Sequence, residues 1–356
     1  MTSTDEKPRR AAFLLNAHAK SVTKVILKRL QDIIPKDDLY VSHNLKEAHQ
    51  SIDNIVNRGY AYLFCGGGDG TVVLAINYLN KYGKAHPLMP QPKLGVLRLG
   101  TGNAIARYLG ALAPEHDIKA ILAGKPIKPV ALSMIETSSG QQTPFAGIGY
   151  DGELMNDFES VKEVFFESPF RRFFSSVLGY AVAGIFKTIP RQFNRKLPNI
   201  RVNSSHPAYR IKEVNGSDEE VFIETGQLLY DGVAPIICVG TIPFVGYGMT
   251  LFPFANRRPG YMHLRVSAVP LSVCLSNLYP SIWHGHFRHK KLFDFLVKDV
   301  TIESEESLPY QLGGDVMGYK KQLYFKISSA PVAMVALDRK AAPTTFPSQP
   351  LMTPLI

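Results

Sequence analysis

Apolar and polar positions alternate with two different periods along the chain. From Ala11 a short apolar strand (Ala11 to Leu15) leads through Asn16-Ala17-His18-Ala19-Lys20 into an amphipathic helix over Val22 to Ile34, with Val22, Val25, Ile26, Leu30, Ile33 and Ile34 as its apolar positions. A strand near Leu39-Tyr40-Val41, a helix from about Leu45 to Asn57, and the apolar run Ala61-Tyr62-Leu63-Phe64 continue the alternation. Leu94 to Leu99 reads as a further strand, followed by helical patterns at Ala104 to Leu109 and Pro114 to Ala123. Strand and helix in turn predict a parallel sheet covered by helices on both faces, with ligands at the carboxyl ends of its strands. Beyond Gly124-Lys125-Pro126 the helical period gives way to successive strand-like segments: Val130 to Glu136, Thr143 to Ile148, Ile200 to Val202, Glu220 to Thr225, Ile236 to Gly240, Tyr261 to Val266, Val300 to Glu303 and Leu323 to Ile327, ending near Val335. This second pattern predicts antiparallel β structure, a β-sandwich. The expected layout is a flexible N-terminus over 1–10, an α/β domain over 11–129, a β-rich domain over 130–339, and a Pro- and Thr-rich disordered tail over 340–356.

Composition narrows this picture without choosing a function. With 45% hydrophobic and 20% charged residues, the 356-residue chain is globular and long enough for two cores. Its formal charge of +10 favours polyanions, whether nucleotide phosphates, nucleic acid or an anionic bilayer. The three cysteines, Cys65, Cys238 and Cys274, sit in apolar runs without metal-ligand spacing, which predicts buried thiols in a reducing compartment. No charged residue occurs between Asp231 and Arg257, but Pro235, Pro243, Pro253 and several glycines break that stretch into strand, loop and strand, and no transmembrane helix is expected.

The chemistry concentrates in two glycine-bearing strand-to-helix turns. Cys65-Gly66-Gly67-Gly68-Asp69-Gly70-Thr71 closes one apolar run and opens another, with a helix expected from about Thr71. Glycines allow close backbone approach, and the unpaired amides of a helix start suit phosphate oxygens. Asp69, an acid among groups that favour anions, reads as a magnesium ligand or a base. The second turn, Gly100-Thr101-Gly102-Asn103, has Asn103 placed as an N-cap. Asn16 and Ser42 each fall at a strand end, where either nucleotide contact or a structural polar contact would use them.

The first turn resembles the GGDGT signature shared by NAD kinases, phosphofructokinase-like enzymes and the diacylglycerol kinase catalytic family, which includes sphingosine and ceramide kinases. Leu99-Gly100-Thr101-Gly102-Asn103-Ala104-Ile105-Ala106-Arg107 is similar to the lipid-kinase motif written GTGNDxAR, with Ala104 in place of Asp, as in sphingosine kinases. Gly147-Ile148-Gly149-Tyr150-Asp151-Gly152 resembles the family's G-x-G-(Phe/Tyr)-Asp segment, whose acid in sphingosine kinases faces the lipid head group. Pro253-Phe254-Ala255 and Gly260 to Leu264 resemble P-x-A-x-x-x-DG-x-L, with Pro259 for the acid, and Gln311-Leu312-Gly313-Gly314-Asp315 falls where the family has Q-x-D-G-E.

The resemblance, which spans Ala11 to about Leu337, implies an ATP- and Mg2+-dependent kinase acting on a lipid hydroxyl of diacylglycerol, a sphingoid base or ceramide. It implies Asp69 as base, and Asn16, Ser42, Gly66, Gly67, Gly68, Gly70, Thr71, Gly100, Thr101, Gly102, Asn103 and Asp315 as nucleotide-binding residues. Asp315 is also the expected metal ligand, and Asp151 the substrate-binding residue. Gly313 stands where some bacterial relatives carry an acid taken to be the base. That leaves two alternatives, Asp69 as base or a catalytically impaired lipid-binding module of the same fold; an NAD kinase-like enzyme is a third. A lipid acceptor implies a cytoplasmic, peripherally membrane-associated protein. The basic-aromatic segment 165–196, from Phe165-Phe166 through Arg171-Arg172 to Arg195-Lys196, would face an anionic bilayer or else form a plain helical hairpin. His286 to Lys291 would extend that surface or form a solvated turn, and the grouping of His284, His286 and His289 lacks the acids or cysteines of a metal site. No nucleic-acid-binding motif accompanies the positive charge.

Overall fold

The computed structural model describes residues 10–19, 21–149 and 198–339. Two sheets organise them. The first contains β1 (Ala11–Asn16), β2 (Leu39–Ser42), β3 (Tyr62–Gly67), β4 (Lys93–Arg98), β5 (Ile127–Leu132) and β18 (Val332–Leu337), in the order β2-β1-β3-β4-β18-β5. The pairs β1–β2, β1–β3, β3–β4 and β4–β18 are parallel, whereas β5 runs antiparallel to β18. Between the strands run α1 (Lys24–Ile33), α2 (Leu45–Asn57), α3 (Asp69–Ala85), α4 (Ala104–Tyr108) and α5 (Pro114–Leu122). Local signals set these limits. Thr23 caps α1 by accepting from Ile26 N, and Asn44 caps α2 by accepting from Glu47 N, each satisfying an amide with no partner inside the helix.

The period of two along the strands sends successive side chains to opposite faces. Ala12, Leu14, Leu63 and Cys65 pack with Ile52 of α2, Val72 and Ile76 of α3 and Ile105 of α4. Phe13, Leu15, Phe64 and Leu97 pack with Leu30 of α1 and with Ile118 and Ile121 of α5. Helices therefore cover both faces, as the sequence pattern predicts.

The second sheet is antiparallel and has 12 strands among the described residues. They are β6 (Ile135–Thr137), β7 (Gln142–Thr143), β8 (Phe145–Gly149), β9 (Asn199–Asn203), β10 (Ala208–Val214), β11 (Ser217–Ile223), β12 (Leu228–Val233), β13 (Ile236–Gly240), β14 (Met262–Ser267), β15 (Leu292–Val297), β16 (Asp299–Leu312) and β17 (Asp315–Ile327). The long β16 holds the layers together: Thr301–Ser304 pair with β9, and Tyr310–Leu312 pair with β8. Both blocks contribute to one core, in which Ile200 and Val202 meet Val239, Leu264, Phe295 and Ile302. The sequence pattern misses β10, β12 and β15 and shortens β16 and β17. The exposed stretch Glu305-Glu306-Ser307 interrupts the alternation where the β16–β17 register shifts.

The two sheets are physically joined. Strand β18, far along the chain from the other strands of the first sheet, returns to lie between β4 and β5. Asn77 of α3 behaves as a substitute strand edge: its Oδ1 accepts from Gln142 N at 2.7 Å and its Nδ2 donates to Gln142 O at 2.8 Å. The core beneath α3 and α4 runs on through Met134, Phe145, Cys238, Ile242 and Phe252.

One ionic group is enclosed in the second sheet. Arg265 grips Asp294 with two bonds, Nε to Oδ1 at 2.7 Å and Nη2 to Oδ2 at 3.0 Å, and His263 Nε2 lies 2.9 Å from the same Oδ1. All three residues are buried. Burial is the largest single influence on Asp294 and pushes its carboxyl pKa up, but the charges and hydrogen bonds of Arg265 and His263 together outweigh it and hold the carboxyl far below its ordinary range. A carboxyl pKa lower in the folded than in the unfolded chain stabilises the fold fully above the unfolded value of about 4, and that contribution fades only as pH falls towards the folded value. Asp294→Asn leaves the Arg265 charge buried and uncompensated and is expected to cost about 3–5 kcal/mol at neutral pH. Urea unfolding of the variant beside the parent chain measures this; a loss under about 1 kcal/mol would show that the ion pair does not hold the sheet.

Candidate active site

Because β3 and β4 are adjacent parallel strands, the loops that follow them leave the sheet on one edge and meet. A Cβ on Gly100 would overlap the Cα of Gly68 and lie 2.8 Å from Gly67 O, so only glycine allows this approach. The first turn is tighter than the sequence suggests. Gly66 and Gly67 belong to β3, Gly68 is the N-cap, and α3 begins at Asp69 rather than near Thr71. Gly66 is a packing requirement, since its Cβ would strike the side chains of Leu15 and Leu99, and a Cβ on Gly67 would strike Thr71.

Asp69 bridges the two loops. Its Oδ2 accepts from Ala104 N at 3.0 Å and its Oδ1 from Ile105 N at 2.9 Å, so the first acid of α3 caps the start of α4. Asn103, expected to be that cap, instead adopts the left-handed conformation with φ 55° and makes no side-chain cap. Its Oδ1 accepts from Gly100 N at 2.9 Å and its Nδ2 donates to Gly100 O at 2.6 Å, closing the loop on itself. Asparagine tolerates this backbone region better than most residues, and its side chain is spent locally because Asp69 occupies the helix start. Asp69 is partly exposed. Desolvation raises its carboxyl pKa above the ordinary value, against the lowering effect of the Ala104 and Ile105 amides and its own.

The remaining residues gather around this bridge to different degrees. Asn16, at the end of β1, donates from Nδ2 to Thr71 Oγ1 at 3.2 Å and accepts from His18 N at 2.9 Å. Ser42, paired with Asn16 across β1–β2, is buried and donates from Oγ to Leu15 O at 3.4 Å. Thr101 and Gly102 form the partly exposed rim. Asp315 arrives from the second sheet on the β16–β17 hairpin, whose central residues Gly313 and Gly314 have φ of 62° and 95°, as a two-residue type I′ turn demands. The hairpin is pinned by Gly313 N donating to Phe145 O at 2.9 Å, and it brings Asp315 Oδ2 to 3.5 Å from where a Cβ on Gly70 would sit. Residues distant in the chain thus share one edge. Asp151 and the segment 165–196 lie outside the described residues.

A further element carries no signature in the sequence reading. The helical turn Gly246–Gly248, in the stretch read only as a loop, covers the second loop: Tyr247 N donates to Gly102 O at 3.1 Å, and a Cβ on Gly102 would lie 2.9 Å from Asp69 Oδ2 and 3.3 Å from Gly246 Cα. Tyr247 has φ 60°, an unfavourable region for an aromatic residue, and Arg107 stacks on Phe244 at 5.0 Å beside it. The Gly-Tyr-Gly spacing is the trace that points to it.

Residues 10–134 match the family model of the diacylglycerol kinase catalytic domain. No curated protein matches the chain. Among solved structures it is similar to a diacylglycerol kinase from Bacillus anthracis str. Sterne, at 16% identity and a TM-score of 0.57, covering 94% of this chain and 98% of that one. A second structure from the same organism, provisionally assigned as a diacylglycerol kinase, has a TM-score of 0.59 at the same identity and coverage. At that identity the likeness is one of fold, and it takes in both sheets. The match to the diacylglycerol kinase catalytic domain thus covers β1 to β5 of the first sheet and its two glycine-bearing loops, while the likeness over the rest of the chain is one of fold.

Proposed function

We propose that the chain is an ATP-dependent lipid kinase, moving the γ-phosphoryl group to a hydroxyl of a lipid. The observation that carries this reading is the meeting of two glycine-bearing loops at one sheet edge, with Asp69 between them and Asp315 brought to the start of α3. The amides at the start of α3 and the close backbones of Gly68 and Gly100 suit phosphate oxygens. Asn16 holds Thr71 in place beside them. Ser42 supports the end of β1 from behind.

Among the described residues no three or more His, Cys, Asp or Glu side chains converge, so no all-protein metal cage is formed there. That suits magnesium, which is held by one or two carboxylates together with substrate phosphates. Asp315 is the residue that would hold it. When bound, magnesium offsets the phosphate charge. Asp69 has about one of its four lone-pair sites left after the Ala104 and Ile105 amides and its own are counted, and its raised pKa makes it the stronger base. As the lipid oxygen bonds to the γ-phosphorus and the bond to the β-phosphate oxygen breaks, the hydroxyl proton passes to Asp69 and ADP leaves. The acceptor resides in a bilayer, so the protein works peripherally at a membrane; diacylglycerol, a sphingoid base and ceramide are the acceptors in view. A lipid-binding module without turnover is the second reading, favoured by the absence of an acid at Gly313 and by the engagement of both Asp69 oxygens.

Four outcomes are expected. Purified protein with magnesium, labelled ATP and a panel of lipid alcohols should yield a phospholipid; vesicle binding with no transfer would favour the module, and transfer only to NAD would overturn the lipid reading. Asp69→Asn should lower turnover by about 10²–10⁴-fold. The same change deprives one α4 amide of its acceptor and should lower stability by about 1–3 kcal/mol in the same preparation. A retained rate would remove Asp69 as base. Since the Asp69 carboxyl titrates above its ordinary value, the acid limb of kcat/KM should lie above about pH 4; a limb at or below that value would assign the titration to another group.

A further inference from the structure

No Asp or Glu occurs between Asp231 and Asp294, a stretch that carries Arg257, Arg258, Arg265, Arg288, Lys290 and Lys291. Its last third forms a helix, α6 (Leu271–Ser276), a π-helical turn (Leu278–Ile282) and the loop through Lys291. That segment carries both apolar and cationic side chains with surface exposure. Leu278 is 38% exposed and Trp283 partly exposed. Lys290 and Lys291 are exposed and hold no ion pair among the described residues. Arg288 is paired with Asp218 at 3.0 Å, so the acid that faces this loop from β11 is already neutralised.

The position of this element ties it to the site. Thr250 N donates to Trp283 O at 2.9 Å, and the loop bearing Thr250 also carries Tyr247, whose amide reaches Gly102 O. One loop therefore separates Trp283 from the turn that covers the Gly100–Asn103 loop.

We infer that residues 271–291 form a docking face for an anionic lipid bilayer, with Trp283 and Leu278 entering the interface and Lys290 and Lys291 meeting lipid phosphates. A segment that carries aromatic, aliphatic and lysine side chains and no acid of its own, with the facing Asp218 held by Arg288, complements such a bilayer in both charge and polarity. The inference rests on the reading of the protein as one that acts on a lipid, and adds which surface presents it to the membrane.

The chain has a single tryptophan, so Trp283 reports on this face alone. Titrating the full chain with vesicles of phosphatidylcholine containing about 30 mol % phosphatidylglycerol should shift the tryptophan emission to the blue, and added salt should reverse the shift. Pure phosphatidylcholine should leave it unchanged. The Lys290→Glu, Lys291→Glu variant should bind these vesicles at least about tenfold more weakly, yet phosphorylate a short-chain soluble acceptor at the parent rate. Vesicle binding without any change in Trp283 emission would overturn the inference and place the docking surface elsewhere. Binding to RNA at the same salt with none to vesicles would overturn it too. The emission shift is read on the unaltered chain, so it stands whether or not the variant folds. Absence of transfer to any acceptor, soluble or vesicular, would instead count against the kinase reading while leaving the emission result interpretable.

Discussion

The carboxylate of Asp69, bonded to the amides of Ala104 and Ile105, fixes the start of one helix against the start of the next. Much of the local geometry follows from that pair of bonds. Strands β3 and β4 are neighbours, so the loops beyond them must pass within one strand spacing of each other. Glycine at 68, 100 and 102 supplies the room; a Cβ at 100 or 102 would press on Gly68 or on Asp69 itself. Hydrogen bonds to an ionised group are stronger than neutral ones, so this bridge is also a firm anchor for a backbone cradle. The same acid is thus both brace and candidate base, and the two roles use different lone pairs.

The second sheet completes the site from the opposite side. Asp315 reaches Gly70 only because a two-glycine hairpin turns tightly and its Gly313 amide is held by Phe145 O. The Gly246–Gly248 turn presses on the second loop through Tyr247 and Gly102. These contacts depend on the placement of the sheets, and that placement is secured by β18 returning into the first sheet and by Asn77 gripping Gln142. The geometry around Asp69 is therefore a property of both halves together.

Much of the first half was legible in the sequence because its signals are local. The helix from about Leu45 to Asn57 lies where its apolar pattern places it, and the apolar run before Gly66 ends where a turn must follow. The meeting of two loops was legible from strand order alone, given alternating strands and helices. Capping was not: Asn103 has the right residue type in the right place, but a carboxylate 34 positions earlier takes the helix start, and no local pattern reveals a cap supplied from another loop. The return of Val332 to Leu337 into the first sheet is invisible for the same reason, since pairing over such a distance leaves no mark in either partner's period. Strands such as β12, exposed on much of its length, lack the alternation that would announce them.

The central claim is that the two loops serve one nucleotide. Amide hydrogen exchange over Gly67–Thr71 and Gly100–Ile105, with and without a non-hydrolysable ATP analogue and magnesium, tests it most directly. The account predicts that exchange slows in both segments together, at the same nucleotide concentration, and that Asn16 to His18 follows. Protection of one loop without the other, or of neither while the nucleotide is bound, would contradict it.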